Sequence, residues 1–231
     1  MGSRVETLLR DEELTLRWLP GRAPRLVVAF TGMRAGFGGT PLDEFAGSAG
    51  QGGENNVLFV TDRRATWYSA TGLWARILGA VRHLVRERRV QETISLGTSM
   101  GGYGAMLLPR HVRVKRAIAF APQVTLDRAV LDDDRWPRIA RPVLRDLAAT
   151  LPDTGAHYYL TAGAGCAADV AHLDLLPEHK RVHRYVLPTG RHNVAGALKE
   201  AGLLGQVISA IIRGRKTRLE RLYETFAQVA A

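Results

Sequence analysis

Residues 96–104 read Leu96-Gly97-Thr98-Ser99-Met100-Gly101-Gly102-Tyr103-Gly104. A strand-like run, Thr93 to Leu96, leads into them, and a helix-like run ending near Pro109 leaves them. The pattern is G-x-S-x-G with Ser99 at its centre. A strand that turns sharply into a helix at a serine lifts the hydroxyl above the sheet. Small neighbours are needed because the main chain closes tightly around a strained residue. The helix that follows aims its first N–H groups and its positive end at any negative charge developing there. With 24 glycines and 6 serines, the bare pattern would arise by chance roughly 0.06 times in such a chain. The strand before it and the helix after it make coincidence rarer still.

The rest of the chain alternates strands and helices. Glu13 to Trp18 alternates apolar and polar residues in period two, as a half-buried strand does, and Pro20-Gly21 ends it. Leu26 to Phe30 and Val57 to Val60 are continuous apolar runs of the interior-strand type. Val114 to Phe120, His157 to Leu160 and Val182 to Leu187 are further strands. Thr71 to Arg89 is an amphipathic helix, with Leu73, Trp74, Ile77, Leu78, Val81, Leu84 and Val85 on one side. Strands separated by helices predict an α/β fold: a mostly parallel twisted sheet flanked by helices, in one domain over residues 1–231. The first two strands lie too close together for a crossover helix, which predicts an antiparallel pair. Residues 125–151 are long for a simple crossover and predict a small helical insertion over one edge of the sheet, with a helix near Val143 to Ala149.

Composition narrows the class. The 231 residues are 46 % hydrophobic and 23 % charged, which excludes a disordered chain and a membrane bundle. One cysteine, Cys166, excludes an internal disulfide and a cysteine-ligated zinc site. The net charge is +10, carried by 28 arginines and 4 lysines. Arginine-heavy composition beside abundant Ala and Gly is what GC-rich coding produces, and no nucleic-acid-binding motif accompanies it. No specific nucleic-acid partner is therefore expected. The start of the chain lacks a basic stretch followed by an apolar run, and Leu203 to Ile212 is too short to span a bilayer, so no transmembrane segment and a cytoplasmic location are expected. The glycines of Gly36-Phe37-Gly38-Gly39 fail as a dinucleotide loop because Pro41 stands where the third glycine belongs. No cofactor and no metal are expected.

On the serine motif and the element order, the chain resembles the α/β-hydrolase superfamily along nearly its whole length. That resemblance implies a Ser, then Asp or Glu, then His order, with the acid and the histidine in loops after late strands. His192 in Thr189-Gly190-Arg191-His192-Asn193 follows the last strand and is the candidate general base. Asp169 is the first carboxylate after the His157–Leu160 strand and is the candidate acid, with Asp174 as runner-up. The structural alternative for Asp169 is a helix N-cap. The resemblance also implies an oxyanion hole built from the Met100 N–H and one donor from the loop after Phe30, either Gly32 or Met33. The family often has His-Gly there, whereas this chain has Thr31-Gly32. Cys166 is read as an ordinary small residue rather than a nucleophile.

Ala121-Pro122-Gln123, Asp134-Arg135-Trp136 and Asp169-Val170-Ala171-His172 are also similar to small bacterial hydrolase-like proteins associated with surface-polysaccharide loci. The implied activity is a serine esterase or deacetylase on a small-molecule or carbohydrate ester. The alternatives are an acyltransferase acting on a carbohydrate hydroxyl and a non-catalytic hydrolase-like binding protein. An oligomer is compatible with everything above. Residues 214–231 read as a basic helix whose Leu219, Leu222 and Phe226 either pack on the sheet or meet a partner or anionic surface.

Overall fold

A computed structural model describes residues 4–33, 43, 45–136 and 151–230. The helix expected near Val143 to Ala149 and the Gly36–Gly39 stretch lie outside the described residues. The strands are β1 (Glu6–Arg10), β2 (Leu14–Leu19), β3 (Arg25–Phe30), β4 (Asn56–Asp62), β5 (Glu92–Thr98), β6 (Arg116–Phe120), β7 (His157–Gly163) and β8 (Val182–Leu187). They form one sheet in the order β1-β2-β4-β3-β5-β6-β7-β8. The helices are α1 (Ala46–Gly50), α2 (Leu73–Glu87), α3 (Met100–Leu107), α4 (Ala167–Asp174), α5 (Val194–Glu200), α6 (Leu204–Ile212) and α7 (Lys216–Ala230).

The expected antiparallel pairing of the first two strands needs correction. β2 does run against the main sheet, but its partner is β4, not β3. β3 sits between β4 and β5 and is parallel to both. The short β2–β3 link therefore steps over a strand position that β4 fills later, and proximity in sequence does not produce a hairpin. β1 escapes sequence reading altogether. It is an edge strand, almost wholly exposed, paired antiparallel to β2 through its backbone. A strand that buries no side chains leaves no apolar pattern to read.

The central strands carry different side chains on their two faces, and this positions the site. On one face, β5 and β6 present Ser95, Gly97, Ala117 and Ala119; on the other they present Ile94, Leu96, Ile118 and Phe120. The small face admits α3, every residue of which is buried. Gly101, Gly102 and Gly104 keep that helix narrow. A β-carbon on Gly101 would lie 2.2 Å from the Phe30 carbonyl oxygen, and one on Gly104 would lie 2.8 Å from the rings of Phe30 and Tyr68. Beside α3, α2 buries Leu73, Ile77, Leu78, Val81 and Leu84, the stripe its periodicity predicts. Full burial of each such side chain contributes about 1.5–3 kcal/mol.

The large-residue face is covered by α1, α5, α6 and α7. Leu219, Leu222, Tyr223 and Phe226 of α7 are buried in that layer. The apolar side of the basic C-terminal helix is thus spent on the chain's own core. Its arginines face outward, and Arg213, Arg215 and Arg218 line a cavity of about 330 Å³ with Gln51 and Ser209. That cavity lies on the layer opposite α3 and takes no part in the chemistry below. Among the described residues, no single helix is long and apolar enough to cross a membrane.

Candidate active site

Ser99 stands between the end of β5 and the start of α3, with φ 54° and ψ −124°. An L-residue held there is strained, and the surroundings fix it. Its N–H donates to the Phe120 carbonyl at 2.8 Å, and its carbonyl accepts from the Tyr103 N–H at 3.1 Å. The Oγ hydroxyl is left to point above the sheet.

His192 arrives from the loop after β8. Asn193 follows it as the N-cap of α5, its side chain accepting from the Gly196 N–H at 2.9 Å. Nε2 of His192 lies 3.0 Å from Ser99 Oγ. Nδ1 lies 2.7 Å from Asp169 Oδ2. Since a carboxylate accepts only, Nδ1 carries the proton and Nε2 is free to take one from the serine. The His192 side chain is 32 % exposed, whereas Asp169 is fully buried.

Asp169 lies in the first turn of α4, and Cys166 occupies the N-cap position, so the N-cap alternative does not describe Asp169. The β7–α4 turn can be this tight because Gly163 and Gly165 press on residues 189–191. A β-carbon on Gly165 would stand 2.6 Å from the Gly190 α-carbon. That contact brings the acid loop against the histidine loop. Burial alone would raise the Asp169 carboxyl, but hydrogen bonds from His192, Cys166 and Arg135 hold it below the usual carboxylate range. Asp174 is exposed at the far end of α4. Five of the six other histidines have surroundings apart from the serine: His83 is exposed on α2, His111 stacks on Trp74 at 4.8 Å, His157 stacks on His183 at 5.6 Å, and His179 accepts the Arg181 N–H at 3.2 Å.

The loop after β3 passes against the first turn of α3. A β-carbon on Gly101 would also lie 2.9 Å from the Thr31 carbonyl carbon, so Thr31, Gly32 and Met33 run alongside the serine turn. Met100 is the first residue of α3, and its N–H has no carbonyl one helical turn back.

Sequence reading gave no role in the site to five neighbours. Gln123, fully buried, places Oε1 3.2 Å from Ser99 Oγ. Arg135 donates from Nη1 to Asp169 Oδ1 at 2.8 Å. Its Nε and Nη2 grip Asp133 at 2.8 and 2.6 Å. Asp133 in turn meets His172 Nε2 at 3.0 Å. The Arg135-Trp136 and Asp169–His172 stretches hold the signal, but only contacts between them reveal its meaning. Trp136 packs between Trp67 (ring centres 5.6 Å apart) and His192 (6.1 Å), forming an aromatic wall beside the imidazole.

Cys166, Asp169 and His192 also bring a sulfur, an oxygen and a nitrogen within 4.8 Å of one another, a spacing that suits a cation. Arg135 Nη1 already stands among them, 3.4 Å from Cys166 Sγ and 3.4 Å from His192 Nδ1. The cation this cluster holds is a guanidinium. Burial and then the hydrogen bond to Asp169 raise the Cys166 thiol above its ordinary value, which disfavours a nucleophilic thiolate there.

No protein-family model matches the chain, and no curated protein does. Solved structures do. The Glycosylation Associate Protein (Gap123) complex from Streptococcus agalactiae superposes with TM-score 0.56 at 16 % identity over 87 % of this chain; the match spans 45 % of that protein's chain. The capsule O-acetyltransferase of Neisseria meningitidis serogroup A gives 0.58 at 14 % identity, covering 89 % of this chain and 93 % of the other. MGS-MChE2, an alpha/beta hydrolase enzyme from a lagoon-sediment metagenome (Mar Chica, Morocco), gives 0.53 at 18 % identity, covering 91 % and 99 %. The chain has the α/β-hydrolase fold.

Proposed function

We propose that this protein is a serine hydrolase that cleaves a carboxylic ester through an acyl-enzyme. The observation that carries the reading is the unbroken path from Ser99 Oγ to His192 Nε2 (3.0 Å) and from Nδ1 to Asp169 (2.7 Å) on a strained strand–helix turn.

In this mechanism Ser99 Oγ attacks the ester carbonyl while His192 Nε2 takes its proton. Nδ1 keeps its own proton, and Asp169 stays ionised, stabilising the imidazolium. The oxyanion accepts from the Met100 N–H and from a donor in the Gly32–Met33 loop. His192 returns the proton to the departing alcohol oxygen, leaving an acyl-Ser99. Water then attacks the acyl group as His192 takes its proton, and the carboxylic acid leaves with Ser99 restored. In the resting site the Ser99 hydroxyl hydrogen has a second acceptor, Gln123 Oε1 at 3.2 Å. Only the orientation toward His192 is productive.

The same acyl-enzyme passes its acyl group to a sugar hydroxyl if that hydroxyl, rather than water, reaches the carbonyl. Likeness to a capsule O-acetyltransferase supports this second outcome, and carbohydrate esters are the first substrates to try.

The test is labelling by a fluorophosphonate probe. The parent labels, and Ser99→Ala and His192→Ala do not. Asp169→Asn reduces the labelling rate by about 10³–10⁴-fold by disturbing the histidine tautomer, whereas Asp174→Asn leaves it unchanged. A folded parent that never labels would remove the hydrolase reading and favour a binding role.

A further inference from the structure

The chain leaving β6, from Ala121 to Trp136, touches every member of the Ser99–His192–Asp169 array. Gln123 reaches Ser99, Arg135 reaches Asp169, and Trp136 lies beside His192. The contacts also close on themselves. Beyond Arg135 the path continues to Asp133 and to His172 Nε2, and His172 Nδ1 accepts the Val124 N–H at 3.3 Å. Val124 adjoins Gln123, which is back at Ser99. Because Nδ1 of His172 accepts, Nε2 must be the protonated nitrogen, and it donates to Asp133. Burial holds His172 below its ordinary value, so the ring is neutral.

The charges of this ring can be followed one by one. Asp169 and Asp133 are negative, Arg135 is positive, and His172 is neutral. When His192 takes the serine proton, the net charge goes from one negative to zero. Arg135 alone would oppose that step, since its Nη1 lies 3.4 Å from His192 Nδ1. With Nδ1 already donating to Asp169, this approach is a charge contact rather than a hydrogen bond. Asp133, gripped by two nitrogens of the same guanidinium, cancels the opposition.

We propose that Arg135 and Asp133 are positioning residues of the reaction: Arg135 fixes the Asp169 carboxylate toward His192, and Asp133 neutralises Arg135 so that the imidazolium can form. This rests on the serine-hydrolase reading for its rate, but not for its electrostatics. Among the described residues, the groups facing His192 are Asp169 and Cys166 from α4 and its entry, Ser99 from the β5–α3 turn, and Arg135 and Trp136 from the segment after β6. On its own loop Arg191 points away to pair with Glu200.

The ring predicts opposite responses to removing its two charges. Arg135→Met adds a net negative charge beside His192, favours protonation of the ring, and moves the acid limb of the labelling rate to higher pH. Asp133→Asn leaves Arg135 uncompensated and moves that limb to lower pH. Each displacement is about half a pH unit or more. The double variant restores the resting net charge and returns the limb to the parent's position, with a lower plateau because Asp169 has lost its anchor. Arg135→Lys keeps the charge without the fork and also stays at the parent's position. Thermal melts confirm that each variant is folded, and the double variant, which leaves Asp169 as the one carboxylate of the ring rather than two without their arginine, serves where Arg135→Met unfolds.

A second readout needs no turnover: the far-downfield proton resonance of His192 Nδ1–H, followed against pH by NMR. Opposite displacements in the two single variants support the proposal. Coincident profiles, or displacements in the same direction, overturn it. A parent that does not label but whose downfield proton responds in opposite senses would remove the hydrolase reading and leave the ring intact.

Discussion

The Tyr68 hydroxyl lies 2.8 Å from the Thr31 carbonyl oxygen and 3.2 Å from that of Val60, so its single proton is directed chiefly at Thr31. Both residues are buried. The bond fixes the Thr31–Gly32 peptide plane next to the serine turn, and with it the direction of the N–H groups that follow. Tyr68→Phe keeps the ring and its edge contact with Phe30 at 5.1 Å but leaves a buried carbonyl without that donor. Stability falls by about 1–2 kcal/mol. The rate of Ser99 acylation falls by about tenfold, since a mis-aimed donor loses part of an oxyanion contact. Urea unfolding and labelling kinetics on the same preparation check both numbers. A rate equal to the parent's would show that this bond does not set the loop.

Asp62 supports that tyrosine. It is 1 % exposed and accepts from the Arg64, Thr66 and Tyr68 N–H groups at 3.2, 2.7 and 2.9 Å and from the Thr66 hydroxyl at 2.8 Å. The turn it holds contains three non-glycine residues with left-handed backbone: Ala65, Trp67 and Tyr68. Such residues persist only where surrounding bonds over-determine them. Asp62→Asn replaces one acceptor oxygen with a donor facing other donors. Stability is expected to fall by about 2–4 kcal/mol, with the Trp67 fluorescence changing before global unfolding. A loss within about 0.5 kcal/mol, the range of an ordinary surface change, would sink this account.

Gly97 and Gly79 give a matched pair. A β-carbon on Gly97 would lie 2.1 Å from the Gly101 carbonyl oxygen, which is backbone and cannot turn aside. Gly97→Ala must push α3 off the sheet and is expected to abolish labelling and lower soluble yield. Gly79 is exposed in the middle of α2, and a β-carbon there meets nothing within 4 Å. Gly79→Ala is expected to stabilise the protein by about 0.5–1 kcal/mol by removing backbone entropy from the unfolded chain. Circular-dichroism melts of the two variants separate the effects.

What the sequence discloses follows a physical pattern. Ser99, Asp169 and His192 are legible because each sits just past the end of a strand, and strands are visible as apolar runs. Their chain order adds a constraint that few other residues satisfy. Arg135 and Asp133 are illegible because their partners lie 34 and 39 residues away, at Asp169 and His172, joined only by folding. Asp62 looks like any carboxylate at a strand end until the donors around it are counted. The position of β4 between β2 and β3 is equally hidden, since sheet order is a property of the assembled core and not of a local pattern. The small face of β5 and β6 is readable in retrospect: Ser95, Gly97, Ala117 and Ala119 alternate with large residues because a helix must come close on one side only.

The histidines also set how the fold responds to acid. Burial lowers His111, His157, His172 and His183 below their ordinary value of 6.5, with neighbouring cations adding to the effect at His111 and His157. In the unfolded chain each binds its proton near 6.5, and in the folded chain only at lower pH. Below about pH 6.5 the unfolded state therefore holds more protons, and stability falls as the solution is acidified. The contribution of these groups is complete above that value and drains away through the folded values. Asp133, Asp169 and Glu92, held below the usual carboxylate range against the opposing pull of burial, contribute stability that survives this window and is lost only in stronger acid. Melting temperature is thus expected to be flat from about pH 8.5 to 7.5 and to decline steadily from about 6.5 to 5. Removing His172, the most buried of the four, tests the assignment. His172→Gln can still donate to Asp133 but cannot ionise, so its acid slope is shallower than the parent's even if its stability at neutral pH is lower. An unchanged slope would place the acid sensitivity elsewhere.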